Sequence, residues 1–85
     1  MLQGQKLHDA VLKKCDLFLN KKMGVSWHDL SDTVSVWDWI DEEGMTDNQV
    51  DTIVPDIVWD KLDNDDTASG FFSREQINDI CYGGR

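Results

Sequence analysis

Three phrases of one form recur along this chain of 85 residues and restrict where its helices can begin. In each phrase a serine or threonine precedes an acid or a glutamine by three positions, so that each side chain can accept the other residue's backbone N–H as a capping box. An apolar residue before the box and another just after it form a hydrophobic staple. The phrases are Val25-Ser26-x-x-Asp29-Leu30, Met45-Thr46-x-x-Gln49-Val50 and Phe72-Ser73-x-x-Gln76-Ile77. The sequence therefore predicts helix starts at Ser26, Thr46 and Ser73.

A further helix is predicted ahead of these three. Its apolar residues, Leu7, Val11, Cys15 and Phe18, recur every three or four positions, which predicts an amphipathic helix over residues 5–22. Gly24 can adopt the left-handed conformation that commonly ends a helix. Because Cys15 falls on the apolar stripe, it is predicted to be a core residue.

The later helices have apolar faces of their own. These are Trp27, Leu30, Val34, Trp37 and Ile40, then Val50, Ile53, Val54, Ile57, Val58 and Leu62, and finally Ile77, Ile80, Cys81 and Tyr82. Gly44 is predicted to end the second helix, and Pro55 to kink or break the third, because its nitrogen cannot donate a hydrogen bond. Residues 63–70 are predicted to be a polar loop. The expected fold is all-α, a single acidic domain over residues 1–85 with four to five short helices.

An internal repeat relates the second and third helices. Residues 36–41 read VWDWID and residues 58–63 read VWDKLD, which predicts two related helix–loop–helix units. The repeat aligns Trp39 with Lys61, a residue that prefers water, and it aligns Trp59 with Trp37. We therefore predict that Trp37 and Trp59 are buried and that Trp39 and Lys61 face solvent. The alternative for Trp39 is that it packs under the N-terminal segment or the long loop.

Charge is distributed unevenly along the chain. The net charge is −9, and residues 29–66 carry thirteen acids against Lys61 alone, whereas residues 1–28 carry five lysines against Asp9 and Asp16. The acidic segment excludes a basic nucleic-acid-binding surface there. With 40% hydrophobic residues and four tryptophans, the chain is typical of a folded protein.

Two cysteines and the start of the chain bear on location. The first residues have no apolar core of a signal peptide, and no stretch approaches the ~18 apolar residues of a membrane span. We expect a cytoplasmic protein, in the host cytoplasm if it is viral, with both thiols reduced. A disulfide between Cys15 and Cys81 remains an alternative if the chain ends pack together.

Residues 65–77, DDTASGFFSREQI, resemble the calcium loop of the EF-hand family, with Asp65 as first ligand and Gly70 at the sixth position. That resemblance implies calcium binding. Calcium requires six to eight oxygens, and the closing position normally supplies a bidentate carboxylate, which Gln76 lacks. We therefore expect no metal site, and keep a degenerate EF-hand-like module as an alternative.

Residues 29–34, DLSDTV, resemble the start of the second helix of acyl carrier proteins, which are acidic four-helix domains of this size. In that family an Asp-Ser-Leu serine carries phosphopantetheine, whereas here Ser31 stands one position late. One position is a rotation of about 100° on a helix. An acyl-carrier-like protein is the second alternative, and otherwise no cofactor is expected.

Groups suited to catalysis are sparse. His8 and His28 are the sole histidines and are predicted to lie on different helices, and the sequence contains no phosphate-binding loop or CxxC motif. We expect a protein that is not an enzyme.

The acidic surface is the remaining candidate site. On an α-helix Trp39 lies opposite Trp37, beside carboxylates, and exposed tryptophans often anchor interfaces. We predict partner binding by Trp39, Asp32, Asp38, Glu42 and Glu43. The expected partner is a nucleic-acid-binding protein with a basic surface. This chain itself is expected to bind neither nucleic acid nor a membrane. In size and charge the chain resembles small phage and mobile-element inhibitors, including DNA mimics and anti-CRISPR proteins; a general adaptor is equally compatible.

Overall fold

Helices account for most of the structure, as the sequence predicts. The computed structural model describes residues 1–30 and 34–83, apart from the side chains at positions 66, 67 and 69. The helices are α1 (Gly4–Met23), α2 (Asp47–Asn64), the six-residue α3 (Asp66–Phe71) and α4 (Arg74–Tyr82), and short 3-10 turns lie at Trp27–Asp29 and Val36–Asp38. Over these residues the structure contains no strand, although Leu2 and Met45 form an isolated antiparallel bridge.

The first helix has the bounds that its apolar stripe predicts. Gly24 has a φ of 73° and its N–H donates to the carbonyl of Asn20, which ends α1 in the left-handed conformation. The fully buried residues of α1 are Leu7, Val11, Cys15 and Leu19. Phe18 is only partly buried.

All three predicted capping boxes form. At the start of α2 the Thr46 N–H donates to Gln49 Oε1 at 2.8 Å, and the Gln49 N–H donates to Thr46 Oγ1 at 3.3 Å. The box at Ser73 repeats this arrangement at the start of α4. The box at Ser26 closes a 3-10 turn instead of an α-helix. The capping residues therefore predict the first turn at all three positions. At Ser26 that turn is not continued into an α-helix.

The predicted second helix is wrong. Residues 26–30 and 34–44 hold two 3-10 turns and no α-helix. This part of the chain is rich in serine, aspartate, threonine and valine, whose side chains either compete for backbone hydrogen bonds or lose rotamer freedom in a helix. One copy of the VWD repeat thus lies in a 3-10 turn and the other in α2, and two related helix–loop–helix units are not confirmed.

Two further boundaries differ from prediction. The second long helix continues through Pro55 as a single element of 18 residues. A proline removes one hydrogen bond, but burial of Val54 and Ile57 on either side holds the helix against the core. The predicted 63–70 loop is the end of α2 followed by α3. Between them Asp65 is buried, and its Oδ1 accepts the N–H of Ala68 at 3.0 Å.

One core cluster joins the helices. α2 packs against both α1 and α4. The buried apolar residues are Leu7, Val11, Cys15, Leu19, Trp27, Val36, Met45, Val50, Val54, Ile57, Val58, Leu62, Ala68, Ile77 and Cys81. Trp59, which was predicted to be buried, is only partly buried against this cluster. Its indole N–H donates to Asn78 Oδ1 at 2.6 Å.

Lys61 is buried, contrary to its predicted exposure. Its side chain is 5% exposed and its Nζ lies 4.3 Å from the centroid of the Trp27 ring. The aliphatic stem of a lysine can cover apolar surface, and an ammonium is attracted to the face of an indole. The exposure that the repeat predicts for Lys61 is therefore wrong.

Asp16 fixes the segment after α1. Its Oδ1 accepts the backbone N–H of Trp27 at 2.8 Å and the hydroxyl of Ser26 at 3.0 Å. These two hydrogen bonds lower the pKa of the Asp16 carboxyl below its ordinary value of 3.8, with a smaller contribution from the charge of His28. The first 3-10 turn is thereby attached to the side of α1.

Candidate binding surface

The predicted anchor tryptophan is not the exposed one. Trp39 is partly buried and packs against the core, whereas Trp37 is 50% exposed. The prediction that placed Trp37 in the core and Trp39 in solvent is wrong on both. Of the predicted acids, Asp38, Glu42 and Glu43 are exposed. Asp32, the fifth predicted residue, lies outside the described residues.

The 3-10 turn explains the exchange of the two tryptophans. In a 3-10 helix residues three apart lie on the same side. Val36 is 1% exposed, and the Trp39 N–H donates to the Val36 carbonyl at 3.0 Å, so both residues face the core. Trp37 then points away from it. The low helix propensity of residues 28–39 was the available sequence signal, and the capping box at Ser26 outweighed it in the prediction.

His8 holds the exposed indole in place. The rings of His8 and Trp37 are stacked, with centroids 4.5 Å apart and an angle of 23° between the planes. His8 lies in α1, and its Nδ1 is 3.5 Å from Asp9 Oδ1. Neither the sequence periodicity nor the repeat predicted this contact, because it joins residues 29 positions apart across two elements. A rigid helix thus orients the exposed tryptophan.

An acidic cleft opens beside Trp37. Its volume is about 290 Å³ and its lining residues are Gly4, Trp37, Ile40, Asp41 and Glu42. Asp41 and Glu42 are exposed, and Asp41 Oδ1 accepts the backbone N–H of Glu43 at 2.9 Å, which fixes one carboxylate in the turn. We call this feature the Trp37 cleft. Its lining includes two acids and no base.

The N-terminal residues form the other side of the turn. Leu2 and Met45 exchange backbone hydrogen bonds of 3.0 and 2.9 Å. Gly44, the residue before Met45, has a φ of 107°. A Cβ placed on it would lie 2.7 Å from the Leu2 carbonyl oxygen. The side-chain amide of Gln3 also donates to the Glu43 carbonyl at 3.0 Å. These contacts set the position of residues 41–45 against the start of α1.

A second cleft lies farther along α1. It has a volume of about 350 Å³ and is lined by Lys14, Leu17, Phe18, Lys21, Asp51, Val54 and Pro55. Lys14 Nζ is 2.7 Å from Asp51 Oδ1, and the second lysine, Lys21, leaves this lining with a net positive charge. The lining of the Trp37 cleft, by contrast, is negatively charged.

The alternative chemistries have little support in the geometry. Residues 66–71 form a helix where the EF-hand resemblance requires a ligand loop. In the described portion, no three histidine, cysteine, aspartate or glutamate residues are grouped to hold a metal ion. Ser31, on which the acyl-carrier resemblance depends, lies outside that portion. Cys15 and Cys81 are free and buried, and burial raises the pKa of each thiol to about 12.

Comparisons with family models, with curated proteins and with solved structures found no match to this chain. Among the helices described, none is long and apolar enough to cross a bilayer. Inference about function therefore depends on the surface chemistry of the chain itself.

Proposed function

We propose that this protein is a non-enzymatic binding protein whose acidic surface, centred on Trp37, occupies a basic surface of a partner protein. The observation that carries the proposal is the half-exposed indole of Trp37, stacked on His8 at the edge of a cleft lined by two carboxylates. Tryptophan is enriched among the residues that dominate binding energy at interfaces. An indole that is already held in one orientation loses less conformational entropy on binding.

Charge supports a basic partner. The chain carries a net charge of −9, and the exposed acids near Trp37 include Asp38, Asp41, Glu42 and Glu43. Complementary charge accelerates encounter and selects partners of opposite sign. Proteins that bind nucleic acid carry such basic surfaces, because they must neutralise phosphates. We infer that the partner is a nucleic-acid-binding protein, and that this chain competes with nucleic acid for it.

An inhibitor of phage or mobile-element origin is the finer form of this proposal, as for DNA mimics and anti-CRISPR proteins. It requires a chain that presents its acids outward while bound to a different protein, in the cytoplasm where such targets act. An adaptor would instead use the Trp37 surface to join copies of itself. Analytical ultracentrifugation of the wild-type chain and of Trp37→Ala distinguishes the inhibitor from the adaptor. An adaptor is oligomeric and becomes monomeric with Trp37→Ala, whereas an inhibitor is monomeric in both.

The proposal is tested by affinity capture from a lysate of the source organism. The wild-type chain, Trp37→Ala and the control Phe71→Ala, which removes a 78% exposed aromatic residue outside the cleft, are immobilised in parallel. We expect a protein retained by wild type and control, lost with Trp37→Ala and displaced by added duplex DNA. Equal retention by all three chains, or retention that DNA does not reduce, contradicts the proposal.

A further inference from the structure

The Trp37 cleft has the size of a side-chain pocket. Its volume of about 290 Å³ lies just below the range of roughly 300–1,000 Å³ that is usual for pockets of cofactors and drug-sized ligands. The Trp37 indole and the Ile40 side chain form the apolar part of its lining. Asp41 and Glu42 contribute negative charge. The cleft therefore matches a ligand group that is long, partly apolar and positively charged.

Local charge favours a cation despite the nearby start of α1. Gly4 is the first residue of α1 and lines the cleft. The start of a helix acts as about half a positive charge. Two carboxylates line the same cleft, so its net charge stays negative. Asp41 uses Oδ1 to accept the Glu43 N–H, which orients its carboxylate without consuming all of its acceptor capacity.

We propose that the Trp37 cleft binds one arginine side chain of the partner protein. The guanidinium lies against the Trp37 indole and donates hydrogen bonds to Asp41 and Glu42, while the methylene stem contacts Ile40. Guanidinium is planar, weakly hydrated and forked, so it stacks on aromatic rings and pairs with carboxylates better than the compact ammonium of lysine. This inference rests on the proposed function and narrows it to a specific recognition group.

The test measures binding of two peptides of equal charge, hexa-arginine and hexa-lysine, both acetylated and amidated. Binding is measured by isothermal titration calorimetry at about 0.15 M salt. At this salt concentration the Debye length is about 8 Å, so long-range electrostatic attraction is screened. We expect hexa-arginine to bind about tenfold more tightly than hexa-lysine, a difference of about 1.4 kcal/mol that lies between the energies of exposed and desolvated cation–π contacts. Trp37→Ala should remove this preference.

Two matched controls separate the cleft from general acidity. Asp41→Asn with Glu42→Gln removes two charges inside the cleft, and Glu75→Gln with Asp79→Asn removes two from exposed residues of α4. The first pair should lower hexa-arginine affinity about tenfold and the second less than about twofold. Phe71→Ala should leave the arginine preference intact. Circular dichroism of each variant verifies that the helices are retained.

The possible failures are distinguishable. If both peptides bind equally and the cleft pair weakens them more than the α4 pair does, the acidic surface proposed above stands and the arginine pocket is wrong. If the two charge pairs weaken binding equally, binding follows general acidity and both proposals fail. If arginine is preferred but Trp37→Ala has no effect, the preference arises elsewhere and the pocket is again wrong. If neither peptide binds even at about 0.01 M salt, where screening is weak, both proposals fail.

Discussion

The indole of Trp37 lies stacked on the imidazole of His8, with ring centroids 4.5 Å apart. The contact attaches an exposed side chain of the segment between α1 and α2 to the first of those helices. Offset aromatic pairs contribute about 0.5–1.5 kcal/mol beyond the area they bury. Because Trp37 is still 50% exposed, the contact mainly fixes the orientation of the indole and adds little buried surface to the core.

The two neighbouring tryptophans should differ in their effect on stability. Trp37→Ala is expected to lower the free energy of unfolding by about 1 kcal/mol, the value of one aromatic pair. Trp39→Ala should cost about 3 kcal/mol, the lower end for a large core residue, because Trp39 is partly buried against the core. Urea denaturation of both variants measures the difference. A larger loss for Trp37→Ala would place Trp37 in the core.

Gly44 is expected to tolerate no side chain. With a φ of 107° and the Leu2 carbonyl oxygen 2.7 Å from an added Cβ, Gly44→Ala should cost about 2 kcal/mol or more, since both strain and a backbone clash result. Gly70→Ala is the control, because α3 has open space there. It should be neutral or stabilise by up to about 1 kcal/mol through helix propensity. Thermal unfolding of both variants tests this, and similar melting temperatures would contradict the geometry at Gly44.

Loss of a capping hydroxyl should weaken α2 and α4. Thr46→Ala and Ser73→Ala each leave a helix-start N–H without its acceptor, at a cost of about 1 kcal/mol. For a domain of this size that corresponds to a fall of roughly 4–8 °C in melting temperature. The control is Thr52→Ala, since the Thr52 hydroxyl donates to the Asn48 carbonyl inside the helix and contributes no cap. If Thr52→Ala is as harmful as the other two, capping is not the cause.

Asp16 should make stability depend on acid pH. Its pKa in the folded protein is lowered by hydrogen bonds from Trp27 and Ser26, so its contribution is fully present above the unfolded value near 3.8 and is lost as pH falls through the lower folded value. Asp16→Asn retains an acceptor but does not titrate. The melting temperature of wild type should exceed that of Asp16→Asn at neutral pH, and the two should converge in acid. A difference independent of pH would show that charge at Asp16 is irrelevant.

Both thiols should be inert in the folded protein. Cys15 is fully buried and Cys81 is 6% exposed, and burial raises the pKa of each to about 12. Because the thiolate is the reactive form, Ellman's reagent at about pH 8 should label neither cysteine until the chain unfolds. Labelling of two thiols in denaturant provides the control, and it also excludes a disulfide. Rapid labelling of the native protein would mean that one of these residues is accessible.

Features that depend on a few neighbouring residues could be predicted from the amino-acid sequence. The boxes at Thr46 and Ser73 predict the starts of α2 and α4 because a cap is a hydrogen bond between residues three apart. The stripe through Leu7, Val11 and Cys15 predicts α1 because helix amphipathicity repeats every turn. The concentration of acids near Trp37 follows from residue order, because Asp38, Asp41, Glu42 and Glu43 lie within six positions of it.

Contacts between residues distant in sequence determine which side chains face solvent between α1 and α2. Asp16 attaches the turn at Trp27, Leu2 bridges to Met45, and Trp27–Asp29 and Val36–Asp38 form 3-10 turns. A change from 3.6 to 3.0 residues per turn, with contacts from residues distant in sequence, buries Trp39 and exposes Trp37. Periodicity along one segment cannot supply those distant contacts, and so it predicted the wrong tryptophan of this pair as the exposed one.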